Sequence, residues 1–216
     1  MSEPGFSRTL PKGGVLWWEG DPASSLAVVE TGCLGVRAGG TLIDIAIGGT
    51  VLGESALLAA PGAPGRRTAQ VTALEASTVV VEHPVAALRE RFDPAVGAIV
   101  LRTLLYQVAR NVLLVRAAET DRPVLRELLD GLLDTAAAAH ARAATARSGE
   151  DFLAAFRLAY RLRESSDLAR AELAPPERWT PEKVREELAA LQARGFASEL
   201  LSAVDGFLAL WSSRPA

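Results

Sequence analysis

A run of glycine, glutamate and small apolar residues, followed after a spacer by arginine, holds the side chains best suited to chemistry in this chain. Gly53 can take backbone conformations closed to other residues, and Glu54 offers two acceptors to hydroxyl donors. The segment 55–60 predicts one short helical turn, and the free N–H groups at the start of a helix attract phosphate. Arg67 adds a positively charged fork facing that end. These residue types predict a site for a phosphate attached to a hydroxylated sugar.

The elements that must position this run are short β-strands. Between residues 6 and 81, apolar runs of strand length alternate with turns rich in Gly and Pro. The predicted strands are 15–18, 26–29, 33–37, 42–46, 70–73 and 78–82. Many short strands at this spacing predict a β-sandwich or barrel of jelly-roll type, with the run from Gly53 to Arg67 as its one helical interruption.

Two segments, taken together, resemble the cyclic-nucleotide-binding domain family. The order Gly53-Glu54, small apolar residues, spacer, Arg67-Thr68-Ala69 is similar to the phosphate-binding cassette of that family. Residues 16–32 look like its signature of strand, Gly-Asp turn, strand and glycine. The resemblance covers about residues 6–118. It implies a cyclic mononucleotide, such as cAMP or cGMP, as the ligand.

The resemblance also implies a role for each residue of the cassette. Glu54 then accepts a hydrogen bond from the ribose hydroxyl, and Arg67 donates to an exocyclic phosphate oxygen. Backbone N–H groups of Ser55 and Ala56 donate to the remaining phosphate oxygens, and Thr68 contacts the phosphate or a purine edge. The implied ligand-binding set is Gly53, Glu54, Ser55, Ala56, Arg67 and Thr68.

Some assignments around this site stay open. Arg66 is a rival for the phosphate role, although the Arg-Thr-Ala order favours Arg67. Some relatives of the family carry haem in this barrel, and Cys33 or His83 is then the axial ligand to consider. The residues expected to form an apolar wall for ribose and base are Leu42, Val51, Leu52 and Val71.

A long helix follows the β segment. A short helix over 84–92 comes first, and Asp93 as cap with Pro94 at the first helical position then predicts a helix to about Ala118. Its apolar side chains at alternating steps of four and three are Leu101, Leu105, Val108, Val112 and Val115. This spacing is typical of a two-stranded coil, so we expect a homodimer through Pro94–Ala118, with packing inside the chain as the alternative.

Beyond residue 119 the pattern is helical throughout. Helix boundaries are predicted by a capping box over 148–151, a cap at Thr180-Pro181 and a terminator at Gly195. Four or five helices of this size fit a small bundle. The chain is therefore predicted to be α+β, with residues 1–118 as a jelly-roll domain plus its long dimerisation helix and 119–216 as an all-α bundle.

Composition excludes several other classes. The 216 residues are 49% hydrophobic, which suffices for a core, and the net charge of −3 does not suit a nucleic-acid binder. Cys33 is the single cysteine, so a disulfide framework and a multi-cysteine metal site are excluded. The start of the chain does not read as a signal peptide, and the most apolar window, 98–115, is too polar and short for a membrane span. A cytoplasmic protein is expected.

These observations predict a non-enzymatic sensor of cyclic nucleotide without a cofactor, a catalytic residue or a metal site. Its C-terminal helices are expected to transmit the signal to a protein partner. One alternative is a scaffold whose barrel has lost ligand binding, and another is a transcription regulator of the catabolite-activator type. The second half counts against DNA binding, because residues 120–216 hold 13 Lys and Arg against 15 Asp and Glu, without a helix-turn-helix pattern.

Overall fold

The β-rich N-terminal part and the helical remainder of the chain form separate compact units. The computed structural model describes residues 5–58, 65–90, 93–118, 122–143, 149–175, 177–196 and 198–212. The two units are Met1–Val100 and Leu101–Ala216. The α+β prediction is confirmed at this level. The division falls inside the long helix, whereas the sequence placed it after residue 118.

Eight strands build the first unit. They are β1 Phe6–Leu10, β2 Val15–Trp17, β3 Ser25–Thr31, β4 Cys33–Ala38, β5 Thr41–Ile47, β6 Val51–Leu52, β7 Gln70–Ala73 and β8 Thr78–Pro84. They form two four-stranded sheets of order β1-β8-β3-β6 and β2-β7-β4-β5, and every pairing is antiparallel. All six predicted strands are confirmed, and β1 and β6 are additional. The jelly-roll connectivity stays a prediction.

Both sheets contribute side chains to one hydrophobic core, as the alternation of strand residues requires. Leu10, Val29 and Val80 come from the first sheet, and Leu34 and Val71 from the second. Of the expected apolar wall, Val51, Leu52 and Val71 are buried and Leu42 is partly exposed. Leu52 and Val71 belong to this shared core.

Two helices follow the last strand. Helix α1 spans Val85–Glu90, and α2 spans Pro94–Ala118 as predicted. The predicted cap is present, since Asp93 Oδ1 accepts from Ala95 N at 2.9 Å. By length and composition α2 is apolar enough to cross a membrane, but 83% of its apolar window is buried inside the protein. Burial of this kind is typical of the core helix of a globular protein.

The second unit arranges four further helices with the C-terminal part of α2. They are α3 Pro123–Ala143, α4 Gly149–Leu173, α5 Pro181–Ala193 and α6 Ser198–Ser212. Thr180 caps α5 by accepting from Lys183 N, and Gly195 follows its end with φ 80°. Ser148 of the predicted capping box lies outside the described residues, although α4 does begin at Gly149.

The side chains expected to form a dimer seam are buried within a single chain. Leu101, Leu105, Val108, Val112 and Val115 are all at most 2% exposed. The same helix places Arg110 against Phe207 of α6, and Asn111 Nδ2 donates to Ser166 Oγ of α4 at 3.0 Å. A dimer through this seam therefore requires the second unit to open, and the homodimer stays a prediction.

Candidate functional site

The backbone that carries Arg67 is joined to the Gly-Asp turn between β2 and β3. Gly20 N donates to Arg67 O, and Arg67 N donates to Asp21 O, both at 2.8 Å. Ala23 N donates to Gly65 O, also at 2.8 Å. Gly20 has φ 89°, a conformation that L side chains rarely adopt. The turn signature noted in the sequence thus fixes where the arginine enters the domain.

The side chain of Arg67 lies inside the unit, only 7% exposed. Its guanidinium carbon lies 3.4 Å from the centroid of the Trp17 ring, a cation–π stack. Its Nη2 donates to the carbonyl of Ser25 at 2.7 Å and to the hydroxyl of Ser25 at 3.1 Å. Trp17 and Ser25 therefore set the orientation of the guanidinium.

A buried carboxylate holds Trp17 and Ser25 in these positions. Glu82 is 4% exposed and accepts from Trp17 Nε1 and from Ser25 Oγ, both at 3.1 Å. Arg8 Nη1 donates to the other carboxylate oxygen at 2.8 Å and supplies the balancing charge. Glu82 thus holds both residues that contact Arg67, which prevents the stack and the hydroxyl from rotating away.

The nearby carboxylates only partly offset the cost of burying the positive charge of Arg67. Desolvation lowers the pKa of Arg67 to about 10, although Glu82, Asp21 and Glu54 act in the opposite direction. Arg67 remains charged at neutral pH. Among the described residues, none accepts a hydrogen bond from its buried Nε. A buried donor without an acceptor costs about 1–3 kcal/mol, so this guanidinium is suited to receive an anion.

The cassette residues lie beside this arginine. Gly53 has φ 76°, and a Cβ built on it would collide with Arg67 Nη1 and come within 3.0 Å of the Trp17 ring. Glu54 is 6% exposed and opens a 3₁₀ helix, Glu54–Leu58. The sequence predicted a helical turn over 55–60 instead. Residues 59 and 60 of that prediction lie outside the described residues. Glycine at position 53 therefore lets the backbone pass next to the guanidinium.

Contacts from α1 hold the far end of the 3₁₀ helix. Ala56 packs with Ala23 and Val85 in a small apolar cluster. Arg89 Nη2 donates to the carbonyl of Leu57 at 3.0 Å, which satisfies a carbonyl at the end of the short helix. Helix α1 and the cassette are thereby in direct contact within the first unit.

The remaining predicted residues take different positions. Ser55 and Thr68 are exposed. The N–H of Ala56 donates to the carbonyl of Gly53 at 3.1 Å, so it reaches a phosphate only by sharing this bond. Arg66, the rival of Arg67, is exposed and its Nη1 donates to Gly20 O at 2.8 Å.

Sequence reasoning missed the residues that orient Arg67. Trp17 lies in the predicted strand 15–18, and nothing in its sequence context marks it as a partner of Arg67. Glu82 does carry a signal, since it is a carboxylate at the end of the apolar run 79–81 in a core strand. Ser25 and Arg8 carry no local signal, because strand pairing across the sheet brings them to Glu82.

The haem alternative depends on Cys33 or His83, and an axial role for either residue stays a prediction. Burial raises the pKa of the Cys33 thiol to about 11, with Glu75 adding to the shift. Burial lowers the pKa of His83, with Asp93 opposing it. Within the described residues, no group of three or more His, Cys, Asp or Glu is placed to hold a metal ion.

Comparison with known proteins identifies the class of the N-terminal part. Residues 7–92 match the family model of the cyclic nucleotide-binding domain. The chain thus carries an N-terminal β-rich cyclic nucleotide-binding domain followed by helices, and the family predicted from the sequence is confirmed for this part. No curated protein matches the chain.

Several solved structures resemble part of this chain. A Geobacter metallireducens protein is 22% identical, with TM-score 0.35 over 40% of this chain and 61% of its own. The N-terminal domain of a Streptomyces coelicolor transcriptional regulator is 27% identical, with TM-score 0.36 over 46% and 72%. A c-di-GMP-responsive global regulator of Xanthomonas campestris is 19% identical, with TM-score 0.37 over 41% and 43%. TM-scores this low transfer no property to this chain.

Proposed function

We propose that this chain is a regulatory protein that binds a cyclic mononucleotide, cAMP or cGMP, in its N-terminal domain. The observation that carries the proposal is the buried, charged Arg67 beside Gly53 and Glu54, inside a segment that matches the cyclic nucleotide-binding domain. A buried guanidinium with one N–H lacking an acceptor among the described residues gains a charge-assisted hydrogen bond when a phosphate arrives.

The proposed pose follows the family's cassette. Arg67 donates to an exocyclic phosphate oxygen, and Glu54 accepts from the ribose hydroxyl. Ser55 and Ala56 offer backbone N–H groups to the phosphate, and the exposed Thr68 contacts either the phosphate or the purine edge. In this proposal the two sheets form a jelly roll around the ligand.

The proposed output is a change in how the helical part is presented to a protein partner. A ligand shifts such an equilibrium only by its difference in affinity for two arrangements. Arg89 supports this idea, because it joins α1 to the end of the cassette helix and so couples the two elements within the first unit. The proposed protein is non-enzymatic and cytoplasmic. A homodimer through Pro94–Ala118 is not required for this output.

Binding to DNA is not part of the proposal. The balance of charges after residue 120 offers no basic stripe, and counterion release from such a stripe drives non-specific DNA affinity. Polarisation with a random-sequence duplex at low salt, with and without cyclic nucleotide, tests this point. Salt-dependent binding there would restore the transcription-regulator alternative.

Calorimetric titration of the full chain tests the ligand. cAMP and cGMP are titrated in parallel with 5′-AMP and 5′-GMP, which carry the same bases and sugar but an open, doubly charged phosphate. We expect saturable binding of at least one cyclic nucleotide, one per chain, and a rise in the melting temperature. Absence of binding by both cyclic nucleotides would favour the scaffold alternative.

A further inference from the structure

Helix α3 exposes an apolar stripe on the side opposite its buried face. Val124, Leu128, Gly131, Thr135 and Ala138 recur at steps of four and three, and all are exposed. Val124 is 72% and Leu128 64% exposed. Thr135 Oγ1 donates to the Gly131 carbonyl at 2.7 Å, so its hydroxyl proton is already used within the helix. Such a stripe on a helix is a contact surface that no other described residue of the chain covers.

Helix α4 exposes a matching stripe. Leu158, Arg161, Ser165 and Leu168 recur at steps of three and four and are exposed, with Leu168 at 66%. The opposite side of α4 holds the buried Phe156. Because α4 already buries Phe156 and Ser166 on its inner side, its exposed leucines gain significance only as part of a contiguous patch with the α3 stripe.

The two stripes lie on one outer face of the second unit. Helices α3 and α4 pack against each other, and the link of residues 144–148 is short enough to make them antiparallel. Both also contact α2, through Asp130 with Arg116 and through Ser166 with Asn111. Since each residue turns a helix by about 100°, the α3 stripe is centred about 120° around the helix from Asp130, and the α4 stripe about 120° from Ser166 in the opposite sense along the chain. In two antiparallel helices these opposite senses turn both stripes to the same side of the pair. We refer to the two stripes together as the α3–α4 face.

Apolar residues of the two stripes lie at the same height along the α3–α4 pair. In an antiparallel pair with equal rise per residue, residues equally distant from the link lie level. Val124 is as far from the end of α3 as Leu168 is from the start of α4. By the same count, Asp134 is level with Leu158, which lies between Arg157 and Arg161 along the chain.

Charges on the face are divided between its two helices. Beside the α3 stripe, the exposed charges are the acidic Glu127 and Asp134, and on α4 at that level they are Arg157 and Arg161. The exposed acidic residues of α4 lie at other levels of the helix, and they are Glu150, Asp151, Glu164 and Glu172. Within the described part of the chain, Asp134, Arg157 and Arg161 make no ion pair. At the level of Asp134 the face is therefore acidic on α3 and basic on α4.

We propose that the α3–α4 face binds the same face of a second copy of this chain. A two-fold interface requires a patch that is complementary to itself. The α3–α4 face provides this at the level of Asp134, where α3 is acidic and α4 is basic, whereas a foreign partner requires no such self-complementarity. A two-fold axis parallel to the helices sets α3 of one copy against α4 of the other. Val124 then meets Leu168 of the second copy, and Asp134 lies between the two arginines of the other α4.

Sedimentation of the full chain over a range of concentrations tests this interface. We expect a dimer for the parent protein. Leu168→Glu places a charge in the apolar contact twice per dimer, so the dissociation constant should rise about 30-fold or more. Phe6→Glu is the matched control, because Phe6 is 49% exposed on β1 and lies outside this face; it should leave the dimer intact. Circular dichroism checks that each variant is folded.

A charge exchange identifies the partner as a second copy. Asp134→Arg and Arg161→Asp should each weaken the dimer, and the double variant should recover most of the affinity. A parent protein that is monomeric at every concentration would overturn the proposal and favour a foreign partner for this face. A Leu168→Glu variant that dimerises like the parent would also overturn it, because the dimer would then use another surface, α2 included.

Discussion

Both units of this protein bury arginines, and Arg67 of the β unit and Arg116 of the helical unit are held in different ways. Arg116 in the helical unit is 4% exposed and pairs with Asp130 and, at 2.9 Å, with Glu187. Arg67 in the β unit is 7% exposed, yet within the described residues it contacts a ring face, a carbonyl and a hydroxyl without an ion pair. The comparison indicates that Arg116 serves stability and that Arg67 keeps its charge available for an anion.

The largest effect is expected for Arg116→Ala. Removing one partner of a buried ion pair costs about 3–5 kcal/mol of unfolding free energy. Arg67→Ala removes two hydrogen bonds and a cation–π stack but no ion pair, so it should cost less, about 1–3 kcal/mol. Urea unfolding followed by circular dichroism measures both. Equal losses for the two variants would make Arg67 a structural residue like Arg116.

Glu187→Gln should have the next largest effect, and the effect should depend on pH. Burial raises the pKa of Glu187, but hydrogen bonds and charge from Arg126 and Arg116 outweigh it and the net pKa is lowered. The carboxylate therefore stabilises the folded state above its unfolded pKa of about 4.3, and this contribution disappears as pH falls through the lower folded pKa. We expect a loss of about 1.5–3 kcal/mol at pH 7.

That loss should shrink as the parent protein's own carboxylate becomes protonated. Unfolding measured at neutral pH and again in acid below the folded pKa provides the test. A difference between parent and variant that is the same at both pH values would show that the ion pair does not account for the stability.

A smaller effect is expected for Gly53→Ala. A left-handed backbone costs an L residue about 1–2 kcal/mol, and the new methyl group would also displace Arg67. Gly40→Ala is the matched control, since Gly40 has φ 82° but nothing within 4 Å of an added Cβ. Gly53→Ala should lose more stability than Gly40→Ala because only its methyl group meets Arg67 and Trp17, and only Gly53→Ala should weaken nucleotide binding. Equal binding by the two would mean that the position of Arg67 does not matter.

Local sequence signals predicted the elements of the fold better than its contacts. Asp93-Pro94 gave the start of α2, because a cap and a first-turn proline act within a few residues. Strand β6 was missed because it has only two residues, and its pairing with β3 is what makes it a strand. The four-three spacing along α2 predicts a partner helix, but it does not distinguish a helix of another chain from a helix of the same chain.

The candidate site was predictable only where the residues are close in sequence. Gly53, Glu54 and Arg67 belong to one motif, and the structure brings the glycine and the arginine into contact. Ser25 and Glu82 are brought together by the β3–β8 register, in which Ala27 pairs with Glu82. Because 57 residues separate them along the chain, no local sequence pattern predicts their hydrogen bond.

The most direct test of the account compares two neighbouring arginines in nucleotide binding. Arg66 and Arg67 differ in burial, with Arg66 exposed on the surface and Arg67 stacked on Trp17. Calorimetry with whichever of cAMP and cGMP binds the parent more tightly should show that Arg67→Ala costs about 2–5 kcal/mol of binding, because a desolvated phosphate loses its charged partner. Arg66→Ala should cost less than about 1 kcal/mol, as is typical of an exposed charge. Unchanged affinity in Arg67→Ala, or a larger loss in Arg66→Ala, would contradict the assignment of the phosphate to Arg67.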